Sequence, residues 1–125
     1  MAIPHAAPGE VFDVRPLGAA LKNAKTITLI RASHLEVIRI VLPAGKRLPE
    51  HRAPGEITVL CVEGVIRFFI NGEARTMHAG DMLLLNTGEA HSLEALDDAS
   101  IIVTIHLAHA NQSRSEPAGQ SSIGL

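Results

Sequence analysis

Tryptophan and tyrosine are absent from this sequence, and phenylalanine occurs only as Phe12, Phe68 and Phe69. A chain so poor in aromatic rings lacks the stacking platforms used by single-stranded nucleic acids and the aromatic walls that hold choline or sugars. Basic charge is not in surplus either: 11 Lys and Arg stand against 13 Asp and Glu, a net charge of −2. Binding a phosphate backbone needs an excess of cations, so nucleic acid is not an expected partner. Cysteine occurs once, at Cys61. An internal disulfide is therefore ruled out, and nothing points to an oxidising compartment. The apolar run around that cysteine, Ile57 to Val62, falls far short of the roughly 20 residues of a membrane helix, so no membrane partner is expected. No basic residue precedes Arg15, and Pro4 and Pro8 interrupt the N-terminal stretch. A secretory signal with a charged leading region is thus unsupported, and the expected location is cytoplasmic.

What is present suits one folded unit. The 125 residues are 46% hydrophobic, enough to bury a single core and too few for a second domain of ordinary size. Three segments are expected. Residues 1–25 form an N-terminal arm, in which prolines favour extended chain and Leu17 to Lys25 can make a short helix. Residues 26–110 form a β-barrel domain. Residues 111–125 form a flexible tail, with four Ser and only Ile123 and Leu125 strongly apolar.

Between Thr26 and Leu107 short apolar stretches alternate with turn residues. Glu36 to Leu42 places Ile38, Ile40 and Leu42 on one face and Arg39 on the other, the period of a half-buried strand. Ile57 to Val62 and Val65 to Ile70 are β-branched runs parted by Glu63-Gly64, and Asn71-Gly72 is a strong two-residue hairpin signal. Further turn pairs bracket Met82 to Leu85, His91 to Ala95 and Ala99 to Leu107. Seven or eight strands with no long helix and no βαβ rhythm predict an antiparallel all-β sandwich, jelly roll or small barrel.

Seven histidines are the chief chemical resource. His5 and His109 lie in terminal segments, His34 and His78 in turns, and His106 opposite an apolar row, all positions that suit solvated side chains. His51 and His91 are placed differently, each beside a turn and an apolar strand. Gly45, five residues, His51 and later Gly64 resemble the first cupin motif, G-x5-H-x-H-x3-E-x6-G. Gly80, five residues, Asn86, Gly88 and His91 resemble the second, G-x5-P-x-G-x2-H-x3-N. The resemblance spans Glu36 to Leu107 and holds in every spacing. It implies an antiparallel jelly roll, or double-stranded β-helix, with a pocket lined by His51, Ala53, Ile57, Val59 and His91.

The residues depart from the pattern where the family holds its metal. Ala53 occupies the second histidine position, Ile57 the glutamate position, Asn86 the proline position and Ala95 the final asparagine position. A metal would be left with His51 and His91, two donors where a divalent ion such as zinc, iron, manganese or nickel takes four to six. Glu56 adjoins the glutamate position, but one step along a strand points to the opposite face. Cys61 shares parity with Ile57 and Val59, so it is either a zinc-competent thiolate or a small buried hydrophobe. Three readings follow: a small-molecule-binding cupin with a degraded metal site, a metal-dependent dioxygenase or isomerase recruiting a ligand the motif does not show, and a structural or regulatory dimer. Two imidazoles facing one ligand suit the grip of a carboxylate or the movement of a proton. A homodimer is expected in any of the three, since apolar surface and open sheet edges invite a second copy, with the arm over the neighbour's edge.

Overall fold

A computed structural model describes residues 5–107 of the chain. Nine strands and one short 3-10 helix, Gly18–Asn23, lie within them: β1 (Ile27–Arg31), β2 (Leu35–Leu42), β3 (Arg47–Arg52), β4 (Ile57–Glu63), β5 (Val65–Ile70), β6 (Glu73–His78), β7 (Met82–Leu85), β8 (Ala90–Ala95) and β9 (Ala99–His106). Five strands form one sheet in the order β1-β2-β9-β4-β7, and four form the other in the order β3-β8-β5-β6. Every pairing is antiparallel. The architecture is the expected all-β jelly roll, with the last strand of each sheet to be made lying inside it.

Alternation along the strands builds the core. In the five-stranded sheet Ile38, Val103, Val59 and Leu83 stand in one cross-strand row, and Ile40, Ile101 and Cys61 in the next. The four-stranded sheet faces them with Ile66, Phe68, Leu93 and Ala95, all buried. Two packed inner faces of this kind are the standard way for antiparallel sheets to bury apolar side chains while the outer faces stay polar.

Two strands are hard to see in the sequence. β3 reads Arg-Leu-Pro-Glu-His-Arg, with Pro49 inside it. Proline is tolerated there because β3 is an edge strand and its register with β8 shifts between Leu48 and His51. β6 is polar, burying only Met77, and is also an edge. It is fixed instead by the turn before it: Asn71 (φ 50°) and Gly72 (φ 86°) both take positive φ, the primed turn that a two-residue hairpin requires.

Where β4 passes to β5 the chain runs too close to the start of β9 for any side chain. Gly64 has φ 83°, and a Cβ there would lie 2.2 Å from the Asp98 carbonyl oxygen and 2.7 Å from Ala99. Only glycine meets both conditions.

The arm follows its own barrel. The Ala6 N–H donates to the Leu29 carbonyl at 2.9 Å, and Arg39 donates to the Arg15 carbonyl at 3.0 Å. The helical turn expected over Leu17 to Lys25 is the 3-10 helix, which buries Leu21. The tail expected at 111–125, like His109, lies outside the described residues. Among those described, no helix is long and apolar enough to cross a membrane.

Candidate functional site

His51 and His91 are directly opposed in the pairing of β3 with β8. On the inner face their row continues to Ile70 of β5. The two imidazoles have centroids 4.5 Å apart and planes inclined at 56°. His91 is 2% exposed and stacks on Phe68, with centroids 5.7 Å apart and planes 11° from parallel. His51 stands in front of it, half-buried.

Local structure orients both rings in the same way. The Nδ1 of His51 donates to the carbonyl of Pro49 at 3.2 Å, and the Nδ1 of His91 to the carbonyl of Glu89 at 3.0 Å. A carbonyl only accepts, so in each neutral ring Nδ1 holds the proton and Nε2 holds the lone pair.

The turn before His91 is itself fastened to β3. Asn86 donates its N–H to the Glu89 carboxylate at 2.8 Å, and the Glu89 N–H returns to the Asn86 carbonyl at 3.2 Å. Gly88 donates to the Ala53 carbonyl at 3.2 Å and accepts from the Arg52 guanidinium at 2.7 Å. The segments carrying the two sequence motifs are thereby stitched together beside the histidine pair.

The other pocket residues lie deeper. Ala53, Ile57 and Val59 are 5%, 1% and 0% exposed and belong to the apolar core cluster with Phe68, Leu85 and Leu93. A cavity of about 230 Å³ does have His91 in its wall, with Arg47, Glu50, Phe69 and Ser92 among its lining. Arg47, Phe69 and Ser92 alternate with core residues, which puts this cavity on the outer face of the four-stranded sheet, whereas the His91 ring faces inward.

A divalent metal is not matched by these donors. Ala53 and Ile57 carry no ligand atom, and Cys61 is fully buried in the core with its thiol donating to the carbonyls of Glu63 and Gly64 at 3.6 Å each. Burial pushes that thiol's pKa up, and the negative charge of Asp81 pushes it further, so the neutral form is favoured over a thiolate. No group of three or more His, Cys, Asp or Glu side chains with metal-binding geometry occurs among the described residues. Two imidazoles are too few for a resident catalytic ion.

Sequence reasoning missed a second polar cluster, on the outer face of the five-stranded sheet. Arg39 is 5% exposed and Ser100 fully buried, although β2 alternation alone assigns Arg39 to the solvent face. Arg39 donates to Ser100 Oγ at 3.4 Å, and Ser100 donates to Glu63 Oε2 at 2.5 Å. The Glu63 carboxylate also accepts the backbone N–H groups of Leu17 at 2.9 Å and Gly18 at 3.0 Å. Arg39 reaches the arm at the Arg15 carbonyl, and no local signal announces such a contact.

Residues 38–107 match the family model of the cupin domain. No curated protein matches the chain. Among solved structures, the fold is similar to that of a conserved protein of unknown function from Streptococcus pyogenes, with TM-score 0.67 and 19% identity, covering 88% of this chain and 100% of that one. An RmlC-like cupin from Desulfovibrio desulfuricans has TM-score 0.65 and 20% identity over 78% of this chain and 97% of its own. The salicylate 1,2-dioxygenase of Pseudoaminobacter salicylatoxidans, solved with gentisate, matches with TM-score 0.61 and 20% identity, over 64% of this chain and 24% of the dioxygenase.

Proposed function

The chain belongs to the cupin family, and from that premise we propose that it is a small-molecule-binding cupin whose site is the His51–His91 pair, working without a resident metal ion. The observation that carries this reading is the pair itself: two imidazoles 4.5 Å apart, each with Nδ1 held by a carbonyl. Two rings held in one tautomer suit a ligand that meets two like groups at once. A small carboxylate or hydroxycarboxylate fits that chemistry, since an imidazole that takes up a proton from water at Nε2 offers the anion a charge-assisted hydrogen bond. The half-buried His51 meets the ligand first and the buried His91 lies behind it. Phe68, stacked on His91, gives the pair an apolar neighbour, and low-polarity surroundings strengthen such contacts.

A homodimer in the cytoplasm completes the proposal. The strongly exposed Met82 and Leu84 lie on β7, the open edge of the five-stranded sheet, and the single cysteine suits a reducing compartment.

The test is a titration of untagged protein with lactate, malate and citrate, following the imidazole nitrogens by NMR, with and without EDTA. Saturable shifts of both Nε2 signals, unchanged by EDTA and lost in His91→Phe, are the expected result. Shifts that require added zinc would replace this reading by the metal-dependent enzyme. Silence to all three acids would remove the carboxylate-binding assignment.

A further inference from the structure

Among the described residues, the hydrogen bonds that tie the arm to the barrel are unequally distributed. Toward its start the arm has the backbone hydrogen bond from Ala6 to Leu29. In between, Val11 is 94% exposed, and Asp13 and Arg15 pair with each other in solvent. At its other end three strands converge on it: Arg39 of β2 holds the Arg15 carbonyl, Glu63 of β4 takes the Leu17 and Gly18 amides, and Ser100 of β9 bridges Arg39 to Glu63. Leu21, just beyond, is the buried residue of the 3-10 helix.

We propose that the arm is a detachable strap and that Glu63 is its latch: loss of the Glu63 carboxylate charge frees residues 5–18 as a unit while both sheets stay folded. Charge is what makes the latch work. One carboxylate accepts three hydrogen bonds, two from main-chain amides, and a protonated or amidated side chain gives up part of that capacity. The barrel does not depend on the strap in the same way, because the core rows are closed by strand pairing and lie on the other side of the sheet. Freed, the strap gives up its hold on Arg39, a cation of the outer face whose guanidinium bonds the Arg15 carbonyl.

Acid is a natural means of opening it. The groups facing Glu63 are the Arg39 guanidinium from β2, the Ser100 hydroxyl from β9, the two arm amides, and Cys61 on its own strand. Burial pushes the Glu63 carboxyl up, but the hydrogen bonds from Ser100, Leu17 and Gly18 and the charge of Arg39 outweigh it and hold the group below the ordinary value. The strap is therefore latched at neutral pH and opens only in acid.

Amide hydrogen exchange on the full chain reads this directly, as protection factors corrected for intrinsic rates. Glu63→Gln at pH 7 is expected to lower protection at Ala6, Leu17 and Gly18 at least ten-fold while Ile101 and Val103 keep theirs; loss at Leu17 and Gly18 with Ala6 still protected overturns release as a unit. The parent protein should show the same local loss only as pH falls below the ordinary carboxylate range, and the variant should show no such dependence. Unchanged protection in Glu63→Gln overturns the latch, and loss at Leu17 and Gly18 only together with Ile101 and Val103 overturns independent detachment. Should the variant not fold, the pH series on the parent protein decides between the same outcomes.

Discussion

Single residues in this chain differ sharply in how far sequence alone discloses their role. His51 and His91 stood out through motif spacing, and their cross-strand pairing explains why two residues forty positions apart belong together. Gly64 was legible as a motif glycine, and the structure supplies the cause: positive φ together with the Asp98 carbonyl 2.2 Å from where a Cβ would sit. Gly55 was not legible as more than a turn residue. A Cβ there would stand 2.0 Å from the His106 carbonyl, a contact that arises only once the barrel closes. Gly64→Ala is expected to lose about 2–4 kcal/mol of stability, since both the backbone conformation and a main-chain neighbour oppose it. Gly72→Ala, whose Cβ would meet nothing within 4 Å, should lose only about 1 kcal/mol, from its positive φ alone. Urea denaturation of the two variants side by side checks the difference. The ligand positions make a second residue-scale test. Ala53→His with Ile57→Glu puts a carboxylate among core side chains, so the metal-free double variant should be destabilised by at least about 3 kcal/mol. Added zinc chloride should recover much of that and bind far more tightly than to the parent, as calorimetry would show.

Elements were read best where hydrophobic period and turn chemistry agreed. The limits expected for the strand at Val65 to Ile70 and for Met82 to Leu85 are those of β5 and β7, because each is bounded by residues that force a turn. β3 and β6 carry no apolar rhythm, being edge strands with one face in solvent, and their existence is dictated by the neighbours they pair with. The arm shows the same limit from another side: Arg39 has the period of a solvent-facing residue, yet it is buried and reaches the arm at the Arg15 carbonyl. Glu63 gives this element a measurable pH signature. A carboxyl held below its ordinary value stabilises the fold fully above the unfolded-state value of about 4.3 and loses that contribution as pH falls through the folded one. The stability difference between the parent and Glu63→Gln should hence be flat from pH 6 to 8 and shrink in acid, read from denaturation midpoints at each pH.

At the scale of the whole molecule, the outer surface of the five-stranded sheet carries an apolar line running through Ile27, Ile102, Leu60 and Met82, interrupted by the covered Arg39. Ile27 is 52% and Met82 62% exposed, more than an isolated small domain usually leaves in water at the same face. Sedimentation equilibrium at micromolar concentration is expected to give twice the 13.3 kDa chain mass. Met82→Lys with Leu84→Lys should shift the population toward the single chain if β7 lies at the contact. A monomer for the parent protein would dismiss the dimer.

The order of strands also governs how the molecule is made. β9 sits between β2 and β4, and β8 between β3 and β5, so each sheet is held together by a strand from the end of the barrel sequence. While the chain emerges from a ribosome, β1 to β7 have no central strands to join them, and their apolar rows stay exposed until His106 has cleared the exit. The barrel can close only once β8 and β9 are available, in one late step built on pairings distant in sequence, which makes folding slow for its size. The nascent protein therefore passes through an interval in which its apolar strand faces lie open to aggregation until the two central strands join them.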